Sequence, residues 1–179
     1  VWRALLDKLA EEAVARGLAS PADAQAWKRI AGRNARQAAS LIRGALGEPV
    51  FAEIMYATFR RKTGRDGRHY TAAHSAIVRL PLRGVVTTNY DPGLVEARHE
   101  QRPETTTAYG VWKQDGACRE WLHRVPAEND LPILFGHGTH DWAESLVLSA
   151  ESYREAYGRG AYRWARLLVA SARTNVPAT

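Results

Sequence analysis

Gly84-Val85-Val86-Thr87-Thr88-Asn89-Tyr90-Asp91-Pro92-Gly93 is the stretch on which the reading of the fold turns. Its first half is β-branched and apolar on both faces, the pattern of a strand buried in the middle of a sheet. Tyr90-Asp91-Pro92-Gly93 then breaks the strand, because Asp, Pro and Gly each favour turn dihedrals, and residues 94–99 return to helical spacing. Strand, loop and helix in that order form the unit from which α/β sheets are assembled.

Upstream of this unit the pattern is helical. Trp2, Leu5, Leu6, Leu9 and Ala13 recur at the spacing of one helix face over residues 2–16, and Gly17 supplies a stop. Ser20 and Pro21 read as the cap and first position of a helix running to Ile30. Further helices are expected over 35–46, over 50–61 with Pro49 near the start, and over 71–79, where Pro81 ends the run. A helix that begins at the second residue has no cap for its free backbone donors, so a segment is expected to precede Val1.

Downstream, residues 105–112 and 121–125 read as strands on either side of a turn at Asp115-Gly116. Pro132-Ile133-Leu134-Phe135 reads as a strand running into Gly136-His137-Gly138, and Leu146-Val147-Leu148 as another. Ser149 would cap a helix through Tyr157, and residues 161–172 would form a last helix. The expected fold is therefore α/β: a Rossmann-like parallel sheet flanked by helices, with a helical portion over about 1–80 and a sheet-bearing portion over about 81–179 of a single domain.

The 179 residues, 45% hydrophobic and 25% charged, suffice for one folded core. No apolar run approaches the roughly 20 residues that cross a bilayer, and a cytoplasmic location is expected. The single cysteine, Cys118, excludes an internal disulfide and a four-cysteine zinc site. Net charge is +6. The arginines are spread along the chain, and the densest group, Arg60, Arg61, Lys62, Arg65 and Arg68, reads as a solvated glycine-containing loop rather than as a surface that binds nucleic acid directly.

Two strand ends carry polar clusters, Thr87-Thr88-Asn89-Tyr90-Asp91 and Gly136-His137-Gly138-Thr139. Ligands of open α/β sheets bind beyond the carboxyl ends of strands, so the two clusters are candidates for one pocket. An amide, a carboxylate and an imidazole together could orient a sugar hydroxyl, hold a carboxamide and accept a proton, which suits either a glycosidic or an acyl-transfer site. Asn89 and Asp91 have a plain alternative as turn formers, and His137 as a loop histidine bonded to backbone carbonyls. His137, His140 and Asp141 do not have the i, i+4 helical spacing of zinc proteases, so no metal site is expected. No G-x-S-x-G elbow supplies a hydrolase nucleophile. His74, among Ala72, Ala73 and Ile77, reads as a packing or hydrogen-bonding residue.

The stretch AHSAIVRLPLRGVVTTNYD, residues 73–91, resembles a signature of bacterial silent information regulator (sirtuin)-like proteins, and PILFGHGTHDWAESLVLSAESYREAY, residues 132–157, resembles that family's second signature. The resemblance implies cleavage of the nicotinamide–ribose bond of NAD+, the substrate. Asn89 would orient the ribose and the attacking water, and Asp91 would bond the carboxamide. His137 would act as general base, with Thr87, Thr88 and Gly138 lining the same pocket. Protein-deacylating sirtuins carry glutamine at the position of Thr88 and a four-cysteine zinc module, whereas this chain has Thr88 and one cysteine. That points to the NAD+-hydrolysing, anti-phage branch, with further domains or defence-system subunits as partners and a homo-oligomer as one arrangement. A sirtuin-type deacylase and a degenerate partner-binding scaffold are the alternatives. Gly136 stands where an apolar residue usually precedes His-Gly; the family's glycine-rich phosphate loop would lie before Trp2 and its Gly-Tyr/Phe-Ser and Ser-Asp segment after the last helix, so the chain is expected to be truncated at both ends.

Overall fold

A computed structural model describes residues 2–60, 67–105, 108–123 and 130–157. Four helices come first: α1 (Trp2–Ala15), α2 (Pro21–Ala31), α3 (Ala35–Leu46) and α4 (Glu48–Phe59). Their boundaries follow from local chemistry. The Ser20 hydroxyl accepts from the Asp23 amide while the Asp23 carboxylate accepts from the Ser20 amide, a reciprocal cap that satisfies two free donors at the start of α2. Asn34 caps α3 in the same sense by accepting from the Gln37 amide. Helices α1, α2 and α3 pack on one another, and α4 packs on α3. Leu6, Leu9, Ile42, Phe51 and Met55 are fully buried between them, each contributing about 1.5–3 kcal/mol of burial.

Helix α5 (Ala72–Arg79) leads through Leu80, whose backbone is extended ahead of Pro81, into β1 (Val85–Thr87). Then follow α6 (Gly93–Gln101), β2 (Gly110–Val111), α7 (Asp115–His123), β3 (Ile133–Phe135), a 3-10 turn (Ala143–Ser145) and α8 (Ala150–Tyr157). The strands form one parallel sheet in the order β1-β3-β2, with Val85 opposite Ile133 and Thr87 opposite Phe135. Helix α5 packs against α6, and α7 against β2 and β3. The chain is thus a helix-rich α/β fold with a small parallel sheet and a helical N-terminal portion.

Three expectations are corrected. First, β1 is not the central strand among the described residues: it lies at the sheet edge and Val86 is 37% exposed, while the fully buried Ile133-Leu134-Phe135 occupies the centre. Second, the strand expected over 121–125 falls, as far as it is described, inside α7. The Cys118 amide bonds the Gln114 carbonyl to start that helix, and Trp121 reaches the Pro132 carbonyl with its indole N–H at 3.3 Å. Third, Leu146-Val147-Leu148, where Leu146 is extended, joins no ladder among the described residues. Its backbone is satisfied elsewhere: the Val147 amide donates to the His137 carbonyl at 2.9 Å, the Val147 carbonyl accepts from the Tyr90 hydroxyl at 2.8 Å, and the Leu148 amide donates to the Ser152 hydroxyl. The segment alternates as a strand would, Leu146 and Leu148 entering the helical core and Val147 the core beneath the sheet, because it separates two apolar clusters. Of the described residues of the strand expected over 105–112, Gly110–Val111 pair in the sheet. The last helix, expected over 161–172, lies outside the described residues, as does most of the arginine-rich loop; Arg68 at its end pairs with Glu100 at 2.7 Å.

Candidate functional site

Because β1 and β3 are parallel neighbours, the loops that follow them leave the sheet side by side. The Gly136 amide donates to the Thr87 carbonyl at 2.8 Å, and further out the His140 amide donates to the Tyr90 carbonyl at 3.0 Å. Two backbone bonds therefore tie residues 87–91 to residues 136–140. The Tyr90 hydroxyl, reaching Val147, adds a third connection. Tyr90 is buried and its ring meets Phe59 edge to face, so the first loop is also anchored to α4. Burial raises the Tyr90 hydroxyl well above its ordinary value and keeps it a neutral donor.

Within the first loop, Thr87 is buried and its hydroxyl accepts from the Asn89 amide at 3.1 Å. That bond bends the chain so that Thr88 and the Asn89 side chain are exposed. Asp91 accepts from the Gly93 amide at 2.9 Å, closing a turn at the start of α6. Its Oδ1 also lies 3.8 Å from Nε2 of His74. Nδ1 of His74 accepts from the Thr71 amide at 3.2 Å, which assigns the ring proton to Nε2, on the side of Asp91. His74 is thus a hydrogen-bonding residue of the α5 cap, as its place in the sequence suggests, and in addition the neighbour of a candidate site carboxylate. Gly93 lies between them: a methyl group there would stand 2.3 Å from the His74 ring and 2.6 Å from Asp91.

In the second loop, His137 is partly buried and packed edge-on against Tyr153 and Tyr157 of α8. Nε2 of His137 shares a hydrogen bond with the Tyr157 hydroxyl. Burial lowers the His137 pKa, so the imidazole is neutral near pH 7, the form that accepts a proton. A cleft of about 640 Å³ lined by Asn34, Arg36, Tyr153, Arg154 and Tyr157 adjoins this tyrosine pair, with the Arg36 guanidinium 5.1 Å from the centre of the Tyr153 ring. Gly138 has φ +84, and its α-carbon presses on the 3-10 turn so closely that a methyl group would stand 2.2 Å from the Ser145 carbonyl. Among the described residues no hydrogen bond joins the Asn89 side chain to His137; what brings their loops together is backbone pairing.

One group of residues extends the second cluster beyond Thr139 to His140 and Asp141, which the sequence weighed only as metal ligands and set aside. His140, 4% exposed, stacks on Tyr56 with ring centres 5.5 Å apart. Its Nδ1 lies 3.4 Å from the Thr139 hydroxyl, which donates to Asp141 at 2.8 Å, and Asp141 accepts at its other oxygen from Tyr109 at 2.7 Å. Burial opposes ionisation of Asp141, but the hydrogen bonds from the Tyr109 and Thr139 hydroxyls hold it below its ordinary value. Burial and the bond to Asp141 push the Tyr109 hydroxyl up to about 12. The signal in the sequence was the consecutive Thr139-His140-Asp141, three hydrogen-bonding side chains in a loop after a buried strand. No three His, Cys, Asp or Glu side chains among the described residues gather as metal ligands, and no described helix is long and apolar enough to cross a membrane.

Residues 83–177 match a family model described as SIR2-like domain. The match takes in β1, β3, both loops and α8, and its last residues, from 158 onward, lie outside the described structure. No curated protein matches the chain. Since the match covers more than half of the 179 residues and contains the two paired loops, the chain belongs to the SIR2-like domain family.

Proposed function

We propose that this chain is the NAD+-hydrolysing domain of a SIR2-like protein, built on a Rossmann-like sheet and serving in bacterial anti-phage defence by depleting NAD+. The observation that carries the reading is the pairing of the two loops through Gly136–Thr87 and His140–Tyr90. It sets an exposed amide, a half-exposed carboxylate and a neutral imidazole on loops that leave adjacent parallel strands at their carboxyl ends. In this reading a water oxygen attacks C1′ of the nicotinamide ribose. The C1′–N bond breaks with its electron pair going to nicotinamide, which leaves neutral, and the water proton passes to His137. Asn89 orients the ribose and the water, and Asp91 accepts from the carboxamide. A centre of oxocarbenium character depends on positioning and charge more than on a strong nucleophile, which agrees with a site of hydrogen-bonding groups.

Hydrolysis is favoured over protein deacylation by the single cysteine, buried against the Val111 and Trp112 carbonyls, which leaves no four-cysteine zinc module, and by Thr88 where deacylases carry glutamine. The test is product analysis by liquid chromatography and mass spectrometry after incubating the full-length protein with NAD+, with and without an acetylated peptide. Nicotinamide and ADP-ribose at equal rates in both samples are expected. Peptide-dependent turnover yielding an acetylated ADP-ribose would replace this reading with deacylation, and absence of turnover in both would favour a binding scaffold.

A further inference from the structure

We propose that His140 is a ligand-binding residue of this site, its Nε2 accepting a hydrogen bond from the carboxamide NH2 of the nucleotide beside Asp91. The proposal rests on the NAD+ reading above and extends it to a residue the mechanism does not use. It begins with an unmet need: Nε2 of His140 is buried and has no hydrogen-bond partner among the described residues. Buried polar atoms are nearly always paired, so an orphan of this kind asks for an explanation.

The neighbouring bonds decide what Nε2 can do. Thr139 has one hydroxyl proton, and it goes to Asp141 Oδ1 at 2.8 Å. Toward His140 the same oxygen can only accept, so the imidazole proton sits on Nδ1, 3.4 Å away. Tyr109, donating to Asp141 Oδ2, fixes the far end of the chain. Nε2 is thereby left as a lone-pair acceptor. Burial lowers the pKa of His140 against the opposing pull of Asp141, of a hydrogen bond with the Tyr90 backbone and of Asp91, with Arg60 acting in the same sense as burial, which agrees with a neutral ring. The main-chain bond from His140 to Tyr90 holds this acceptor next to the residue that precedes Asp91. One face of the imidazole is covered by Tyr56, a side chain of α4 that is itself 46% exposed, which leaves the ring edge bearing Nε2 as the part a ligand would meet.

Asp91 and His140 thus offer acceptors and no donor. A primary carboxamide carries two N–H donors and satisfies both; a carboxylate in the same place carries none and meets the Asp91 charge. The ribose hydroxyls of the same nucleotide are also donors, so the experiment must separate the two sources. Binding constants of the full-length protein for NAD+, for its carboxylate analogue nicotinic acid adenine dinucleotide, and for ADP-ribose, which keeps the ribose and lacks the pyridine, provide the separation. Wild type is expected to prefer NAD+ over the carboxylate analogue. His140→Phe, which keeps a ring against Tyr56 and removes the acceptor, is expected to weaken NAD+ about tenfold, the loss of one hydrogen bond, and to leave ADP-ribose unchanged. Equal weakening of NAD+ and ADP-ribose overturns the carboxamide assignment. Where the variant does not fold, wild type decides: equal affinity for NAD+ and the carboxylate analogue overturns it, as does a nitrogen NMR spectrum placing the His140 proton on Nε2. A wild type that binds neither NAD+ nor ADP-ribose instead defeats the NAD+ reading on which the proposal rests.

Discussion

Gly138→Ala is the substitution whose consequence follows most directly from the backbone. At φ +84 any residue with a Cβ is strained, at a cost of roughly 1–2 kcal/mol. The added methyl would stand 2.2 Å from the Ser145 carbonyl and 2.5 Å from its hydroxyl. Neither can retreat freely. The carbonyl accepts from the Trp112 indole at 2.7 Å, and the hydroxyl accepts from the Thr139 amide and donates to the Trp142 carbonyl at 2.6 Å. Overpacking of this kind adds about 1–3 kcal/mol, so the total is about 2–5 kcal/mol against the 5–15 typical of a domain. Urea denaturation should show a lower midpoint with an unchanged slope, and at roughly 2–4 °C per kcal/mol the melting temperature should fall by roughly 4–20 °C. Because the loop carries His137, NAD+ turnover should fall as well. A stability within about 1 kcal/mol of wild type would refute the close approach.

Gly93→Ala should behave similarly at the other loop, its methyl meeting His74 and Asp91, and NAD+ affinity should fall with the melting temperature. His74→Ala removes the acceptor for the Thr71 amide and should cost about 1 kcal/mol, as loss of a helix cap does; no change in the urea midpoint would deny the cap. His137 and His140 both have pKa values lowered by burial, so the unfolded chain binds protons more readily. Their effect on stability is absent well above about pH 6.5 and becomes a penalty as pH falls below it. The urea midpoint should therefore drop from pH 7.5 to pH 5.5, and less steeply in His137→Phe; equal slopes would contradict the assignment. Cys118 is buried and its thiol is pushed up to about 11, so Ellman's reagent at pH 8 should label it slowly in the folded protein and fully in urea.

Much of the fold was legible because its signals are local. The cap at Ser20, the stop at Pro81 and the apolar face of α1 depend on neighbours a turn away, and the helices appear within two residues of where these place them. Residues 121–123 and 146–148 differ from the strands expected there because apolar alternation reports burial, not pairing. Trp121 is held by the Pro132 carbonyl and the Leu146–Leu148 segment by two cores and a tyrosine, which are distant partners. The site divides in the same way. Polar clusters at two strand ends were visible, but their joining required the β1–β3 adjacency, and the role of His140 required knowing where the proton of Thr139 points.

The central claim is that the paired loops act on NAD+, and nicotinamide release by the full-length protein measures it. Wild type is expected to release nicotinamide, and Asn89→Ala and His137→Ala are each expected to slow it by about a hundredfold or more, the usual effect of losing a positioning group and an acid–base group respectively. Release at the wild-type rate in both variants would contradict the account.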